Sequence, residues 1–355
     1  MSGGGKRVGF LRLEDGTVFK GTLFGEIKET SGEVVFNTGM TGYVEALTDP
    51  SYKGEILVFT FPLIGNYGVP RHLEELEPCF ESSTIHTQGV VVSSLCTTPS
   101  HYRSYASLGE WLKQHGVVGI EGVDTRLITK ILREKGTMLG AILFEPREVE
   151  YFDPSKQNVV DLVSPKRQVE YKGGDKKVVL MDCGCKNGIL YELLSRNISV
   201  TRVPWDTDVS TLDWDGLLVS NGPGDPLMCK AAISNIAKAL RRKRPMLGIC
   251  LGNQLISLAA GGRTYKLKYG HRSQNQPCIE LRTGKTYVTS QNHGYAVDPT
   301  SLPKGWEVWF ENLNDGTVEG VRHADLPFMS VQFHPEGRPG PLDTRWVFDE
   351  FVKLL

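Results

Sequence analysis

The first part of the chain shows the two-residue alternation of β-strands, interrupted by two stretches with helical spacing. Apolar and polar positions alternate through residues 7–25 around the turn pair Asp15-Gly16, which predicts a β-hairpin. Further patterns predict strands at 33–37, 55–61 and 88–94 and helices at 108–114 and 125–134. We therefore predict a mixed α+β domain at the start of the chain.

The pattern changes after residue 177, where short apolar strands alternate with helical segments. Strands are predicted at 178–181, 200–203, 216–220 and 246–249, with helices at 187–196, 233–240 and 251–260. This alternation predicts an α/β fold with an open, doubly wound, mostly parallel sheet. Later patterns predict strands at 263–269, 277–282, 286–290, 306–311 and 329–333, followed by a closing helix from Leu342 to Leu354.

Prolines, charged residues and Gly173-Gly174 separate the two patterns, a composition typical of a connecting segment. We therefore predict a first domain over residues 1–150, a linker over 151–176 and a second domain over 177–355. The length of 355 residues agrees with two domains of roughly 150 residues each.

Composition and charge exclude several classes of function. The 40 Lys and Arg residues balance 41 Asp and Glu residues, so the chain lacks the basic field that binds nucleic acid or anionic lipid. The apolar runs are far shorter than the roughly 18 residues that a membrane helix needs. Glu14 and Asp15 interrupt the apolar run that a signal peptide would require. We expect a cytoplasmic protein without a membrane or nucleic-acid partner.

The cysteine pattern predicts neither disulfides nor a metal site. Seven cysteines form an odd set without a Cys-x-x-Cys pair, and no histidine or cysteine pair has zinc-ligand spacing. Most of the cysteines are predicted to be buried apolar residues. Of the two remaining candidate histidines, His271 and His293, His293 is expected to be structural and neither is expected to bind a metal.

Residues 248–252, GICLG, are the sulfur counterpart of the G-x-S-x-G nucleophile elbow and lie where a predicted strand turns into a helix. Glycines on both sides relieve the crowding of such a sharp turn. The helix N-terminus favours the thiolate of Cys250, so the motif indicates a nucleophile. A buried core cysteine is the alternative.

His334 and Glu336 are candidates for the accompanying base and its orienting carboxylate. In extended chain, residues two apart point to the same side, so the imidazole and the carboxylate can meet. With Cys250 they would form a catalytic triad. The alternative is a histidine that only caps a strand end.

The loop that begins with Asn221 and contains Gly222 and Gly224 follows another predicted strand, so it should lie at the same sheet edge as Cys250. Its N–H groups and that of Leu251 could hold an oxyanion. A tight turn is the alternative. The sequence contains no G-x-x-x-x-G-K-[ST] phosphate-binding loop and no other recognisable ATP-binding motif.

Four segments of the second domain resemble class I (triad-type) glutamine amidotransferases: SNGPGDP at 220–226, GICLG at 248–252, TSQNHGYAV at 289–297 and FHPE at 333–336. In the first domain, residues 35–56, 61–68 and 122–136 are similar to the small, glutaminase subunit of carbamoyl-phosphate synthetase. The resemblance spans nearly the whole chain.

The resemblance implies specific roles. Cys250 would be the nucleophile, His334 the acid–base and Glu336 its orienter. The implied glutamine contacts are Gly222, Gly224, Leu251, Gln254, Asn292, Gly294 and Tyr295. The resemblance implies no cofactor in this chain, because ATP, magnesium and bicarbonate would be used by a partner synthetase, as a large subunit or fused domain, that docks on the first domain. The product would be carbamoyl phosphate for pyrimidine and arginine synthesis.

Some positions depart from the family pattern. Asn253 stands where many relatives have histidine, and Gly39 where some have a serine near the glutamine. Members that use free ammonia commonly have serine at the nucleophile position, whereas this chain has Cys250. Three other functions are considered: a γ-glutamyl hydrolase or peptidase, a non-catalytic scaffold subunit, and an amidotransferase for another synthase, which the first domain disfavours.

Overall fold

A computed structural model describes residues 7–72 and 74–355 of the chain. The chain divides into two compact units, residues 1–154 and 155–355. The segment 151–176, predicted as a linker, includes the short strand Val169–Tyr171 within the second unit.

The first unit is built around a closed β-barrel. Its strands are Val8–Leu13 (β1), Val18–Gly25 (β2), Thr30–Asn37 (β3), Glu55–Phe59 (β4), Leu63–Ile64 (β5), Gly89–Val92 (β6), Ser94–Leu95 (β7), Val118–Glu121 (β8) and Met138–Leu143 (β9). The barrel order is β1-β2-β8-β6-β4-β3-β9, and β5 pairs separately with β7. Helices are Tyr43–Thr48 (α1), Leu108–Gln114 (α2) and Thr125–Lys135 (α3).

The predicted hairpin is confirmed, because β1 and β2 pair antiparallel on either side of Asp15-Gly16. The second predicted helix is confirmed as α3, and the Asp124 side chain accepts from the Leu127 N–H at 2.8 Å as its N-cap. Closure of the barrel was not predicted. It depends on pairings between distant strands, such as β1 with β9, that local periodicity does not encode.

The second unit contains one large mixed sheet. Its strands are Val169–Tyr171 (β10), Lys177–Asp182 (β11), Ser199–Pro204 (β12), Gly216–Val219 (β13), Met246–Ile249 (β14), Thr264–Glu280 (β15), Thr286–Val297 (β16), Trp306–Asn312 (β17), Val318–His323 (β18) and Phe328–Val331 (β19). The sheet order is β10-β12-β11-β13-β14-β19-β18-β17-β15-β16. The helices are Asn187–Leu194 (α4), Lys230–Leu240 (α5), Leu251–Ala260 (α6) and Trp346–Leu354 (α7).

The pairing confirms the predicted α/β fold. Strands β12, β11, β13, β14 and β19 are mutually parallel, and β10 and β15–β18 extend the sheet in antiparallel fashion. Parallel strands covered by helices on both faces read as continuous apolar runs, and β13 and β14 are buried throughout.

Two sequence predictions in this unit are wrong in detail. Strands predicted at 263–269 and 277–282 are a single strand, β15, because the intervening polar residues pair with β16 through two register shifts. The closing helix begins at Trp346, and Leu342 lies before it with half of its surface exposed, because its side chain does not join Phe348 and Phe351 in the core.

The sheet positions the loops that carry the candidate chemistry. Strands β11, β13, β14 and β19 are adjacent and parallel, so the segments that follow them meet at one edge of the sheet. Among the described residues, no helix combines the length and the apolar character needed to cross a membrane.

Candidate active site

Cys250 lies at the sharp turn between β14 and α6. Its φ of 54° is unusual for a residue other than glycine, as expected for a nucleophile elbow. A Cβ atom at Gly252 would lie 2.0 Å from the Val219 carbonyl oxygen, and one at Gly248 would lie 2.6 Å from the Gly252 carbonyl oxygen. Only glycine fits at both positions, which confirms the steric reason for the GICLG pattern.

The Cys250 side chain sits at the N-terminal end of α6, where free N–H groups favour a negative charge on sulfur. Its backbone N–H donates to the Val331 carbonyl at 2.8 Å, which ties the elbow to the end of β19. Its Sγ lies 3.5 Å from the Asn292 carbonyl oxygen on β16. Cys250 is therefore held between two of the segments that the sequence analysis singled out.

His334 and Glu336 follow β19 and form the predicted imidazole–carboxylate pair. His334 Nδ1 lies 2.6 Å from Glu336 Oε1, and the His334 backbone N–H donates to the Ser290 carbonyl at 2.8 Å. The other ring nitrogen, His334 Nε2, is buried and has no hydrogen-bond partner among the described residues. This nitrogen is therefore available to exchange a proton with a thiol or a bound substrate.

Lys186 is a member of the site that the sequence analysis missed. Its Nζ donates to Glu336 Oε1 at 2.9 Å and to the Gly337 carbonyl at 2.8 Å, and its side chain is only 3% exposed. Its position contained a signal, because a lysine in the short segment between a buried strand and the following helix lies at the same sheet edge as Cys250.

The charge on Glu336 is fixed by its surroundings. Burial by itself raises the pKa of this carboxyl, but the neighbouring charges of Lys186 and His334 and their hydrogen bonds outweigh burial and lower the pKa to about 2. Glu336 is therefore ionised at neutral pH, as a carboxylate that orients His334 must be.

The loop after β13 packs against the turn after β11. A Cβ at Gly222 would lie 2.1 Å from the Cys183 carbonyl oxygen and 2.8 Å from Leu251, so only glycine allows this close approach. The Asn221 side chain accepts from the Lys186 N–H at 3.0 Å. These contacts bring Gly222 beside Leu251, and Gly224 follows in the same loop with a φ of 81°.

Gln254 is buried on α6, one turn after Cys250. Its Nε2 donates to the Tyr295 carbonyl at 2.9 Å and to Gln332 Oε1 at 3.2 Å. Both amide hydrogens are therefore used, and only the Gln254 side-chain oxygen is left to contact a substrate. These bonds also place Tyr295 next to α6, and Asn292 and Gly294 precede it on β16.

Asn253, the residue that departs from many relatives, is fully buried in a polar network. Its Nδ2 donates to Gln332 Oε1 at 3.0 Å, and its oxygen accepts from the Ser330 hydroxyl at 2.8 Å. These partners satisfy both ends of the asparagine amide.

The elbow cysteine and its imidazole–carboxylate pair on an open α/β sheet define a class I glutamine amidotransferase domain, and the family model Glutamine amidotransferase class-I matches residues 179–354. The model Carbamoyl-phosphate synthase small chain, CPSase domain, matches residues 11–142. The chain belongs to the carbamoyl-phosphate synthase small chain family.

Curated relatives support this family across the whole chain. The carbamoyl phosphate synthase small chain of Pyrococcus furiosus is 48% identical over 363 residues, which cover 98% of this chain and 97% of the relative. The multifunctional protein CAD of Squalus acanthias is 48% identical over 97% of this chain. The mitochondrial carbamoyl-phosphate synthase [ammonia] of Homo sapiens is 47% identical over 97% of this chain.

The relatives differ greatly in length. This chain spans 16% of the Squalus protein, 23% of the human protein and 17% of the multifunctional protein pyrABCN of Emericella nidulans. The family therefore includes both separate small chains and segments of much longer polypeptides.

Proposed function

We propose that this chain hydrolyses the side-chain amide of glutamine and delivers the ammonia to a carbamoyl-phosphate synthase large chain or fused synthetase domain. The observation that carries this proposal is the arrangement of Cys250 at a nucleophile elbow and of His334 at the same edge of the sheet, with a ring nitrogen, Nε2, that has no hydrogen-bond partner among the described residues. Membership in the small chain family supports the choice of glutamine.

In the first step, the Cys250 thiolate attacks the amide carbon. The backbone N–H groups of Gly222 and Leu251 hold the developing oxyanion. The protonated His334 gives its proton to the departing nitrogen as the C–N bond breaks, so that ammonia leaves and a γ-glutamyl thioester remains. Gln254, through its free oxygen, and Asn292, Gly294, Tyr295 and Gly224 complete the proposed glutamine site.

In the second step, water hydrolyses the thioester. His334 Nε2 takes a proton from the water while the water oxygen attacks the thioester carbon, and the C–S bond breaks to release glutamate and regenerate the thiolate. Glu336 stabilises the imidazolium in both steps, and Lys186 keeps Glu336 ionised.

The partner supplies the rest of the reaction. The chain has no recognisable ATP-binding motif, so ATP, magnesium and bicarbonate are assigned to the synthetase, and no cofactor is assigned to this chain. We assign partner docking to the first unit, on the support of the CPSase domain match at residues 11–142. Carbamoyl phosphate formation would serve pyrimidine or arginine synthesis, and the cytoplasmic location stays a prediction.

The direct test measures ammonia and glutamate released from glutamine by the purified chain, with and without a carbamoyl-phosphate synthase large chain supplied with ATP and bicarbonate. We expect equimolar products and a faster release when the partner is working. Faster turnover of γ-glutamyl peptides than of glutamine would indicate a γ-glutamyl hydrolase instead. Folded protein that releases nothing with any partner would indicate a scaffold subunit.

Substitution of Glu336 by glutamine separates its proposed role in orienting His334 from any role in binding the glutamine substrate. Because the carboxylate contacts His334 and Lys186, the change should lower kcat about 100-fold while the Kd for glutamine stays within about twofold. Steady-state kinetics and equilibrium binding give the two quantities. A large increase in Kd with unchanged kcat would contradict the orienting role.

A further inference from the structure

A second buried cluster of polar side chains lies in the antiparallel part of the sheet. His271 on β15 and His293 on β16 are directly opposed in the strand register, and their ring centroids are 4.9 Å apart at an angle of 83°. Glu319 on β18 is fully buried beside both rings. Spacing along the sequence does not reveal this cluster, because strand pairing brings its members together.

The outer nitrogen of each imidazole has a defined acceptor. His271 Nε2 lies 2.8 Å from Asp315 Oδ2, and His293 Nδ1 lies 2.9 Å from the Tyr295 carbonyl oxygen. Because oxygen atoms of this kind only accept hydrogen bonds, these two nitrogens carry hydrogens. In neutral rings, the lone pairs of His271 Nδ1 and His293 Nε2 then point inward. Metal-binding histidines are typically held in this way, with the second ring nitrogen bonded to a carboxylate or carbonyl.

The inward nitrogens face oxygen atoms. Glu319 Oε1 lies 3.2 Å from His271 Nδ1 and 3.6 Å from His293 Nε2. Gln291 Oε1 lies 3.2 Å from His293 Nε2, and the Gln291 amide is oriented by its Nε2, which donates to Thr289 Oγ1 at 3.0 Å. Lone pairs facing lone pairs in a buried site repel each other, and either a proton or a metal cation between them removes the repulsion.

One carboxylate oxygen of Glu319, Oε1, contacts His271, but the other lacks a hydrogen-bond partner among the described residues. Its Oε2 is buried and has no hydrogen-bond partner within residues 7–72 and 74–355, the part of the chain that the structure describes. The Asn312 amide lies 3.4 Å from its Oε1, beyond the usual hydrogen-bond distance. A buried carboxylate oxygen without a partner costs free energy, and a bound cation would remove this cost.

We propose that His271, His293 and Glu319 bind a divalent transition-metal ion, and that this ion is zinc. Two imidazole nitrogens and a carboxylate oxygen are a common zinc ligand set, and donor atoms around tetrahedral zinc lie roughly 3.3 Å apart. The distances of 3.2 and 3.6 Å from Glu319 Oε1 to the two nitrogens are close to that spacing, and one donor atom from each of the three residues lies within 4.8 Å of the others. Half-exposed Asp315 leaves a route from solvent to the site.

The proposed ion has a structural role. It would link β15, β16 and β18 and hold the part of β16 in which His293 lies between Asn292 and Tyr295. Removal of the metal should therefore loosen β16 without removing any group of the Cys250–His334–Glu336 array.

The test uses the full chain without an affinity tag that binds metal. After treatment with a chelator and dialysis against zinc, elemental analysis should give about one zinc per chain, and cobalt in its place should give the visible absorption of a tetrahedral site. Glu319→Gln and His271→Ala should each lose at least 90% of the bound metal. His101→Ala, at an exposed histidine of the first unit, should retain it.

The choice of variants and one further control allow the result to be interpreted. Glu319→Gln preserves the shape of the side chain, so it tests the site even if His271→Ala does not fold. Metal content in a Cys250→Ala background must stay unchanged, which separates this site from zinc captured by the thiol. Wild-type protein that takes up less than a tenth of an equivalent, or Glu319→Gln that binds as much as wild type, would overturn the proposal.

Discussion

Replacement of Cys250 by alanine should lower the rate of glutamine hydrolysis by at least about 10⁴-fold, because the variant has no atom that can form the thioester. The fold should be unchanged, since the side chain is small and buried and alanine meets the same backbone strain at a φ of 54° as cysteine does. Ammonia release gives the rate, and circular dichroism and thermal unfolding give the state of the fold.

The matched control is Cys229→Ala, which removes another buried thiol from the same unit. Cys229 precedes α5 and packs in the core, so its loss should cost about 1 kcal/mol of stability and leave kcat within about twofold. If Cys250→Ala retained a tenth or more of the wild-type rate, Cys250 could not be the nucleophile.

Replacement of Lys186 by methionine should destabilise the protein by about 3–5 kcal/mol, because it leaves the buried Glu336 carboxylate without its main counter-charge. Urea unfolding measures the change in free energy. The control is Lys238→Met, which breaks the exposed ion pair with Asp208 and should cost less than about 1 kcal/mol.

The pH dependence of the stability lost in Lys186→Met shows whether the loss comes from the charge of Glu336. The pKa of Glu336 is about 2 in the folded wild-type protein, below the value of about 4.3 for an unfolded glutamate. Its ionisation therefore stabilises the wild-type fold above about pH 4.3, and this contribution is lost as the pH falls towards 2. The difference in stability between wild type and Lys186→Met should be largest near neutral pH and should shrink on acidification.

A double substitution tests whether the two charges are coupled. Glu336→Gln in the Lys186→Met background removes both buried charges, so the double variant should be more stable than the sum of the two single losses predicts. Additive losses would show that Lys186 stabilises the fold by packing rather than by its charge.

Local sequence patterns predicted the features that depend on residues close together in the sequence. The alternation of buried strands and helices after residue 177 predicted the parallel sheet, and glycines 248 and 252 predicted the strained turn at Cys250. The two-residue spacing of His334 and Glu336 predicted their contact, but the extended backbone expected there is wrong, because Pro335 and Glu336 lie in a turn in which the Gly337 N–H donates to the His334 carbonyl at 3.1 Å.

Features created by long-range pairing were not predicted. Barrel closure in the first unit joins β1 to β9 across more than a hundred residues, and the position of Lys186 beside Glu336 joins residues 150 apart. The opposition of His271 and His293 depends on the register of a long hairpin with two irregularities. None of these contacts leaves a periodic signal in the sequence, and the roles of the substrate-site residues stay predictions.

The order of the strands has a mechanical consequence. Lys186, Gly222, Cys250 and His334 follow four neighbouring parallel strands, and the Lys186 side chain reaches across the loops to lie 2.9 Å from Glu336, which follows the strand at the other end of the four. No two of the first four residues follow the same strand, so their relative positions depend on how the sheet holds its strands together. Substitutions in the core beneath it should therefore change the reaction rate without touching the reacting groups.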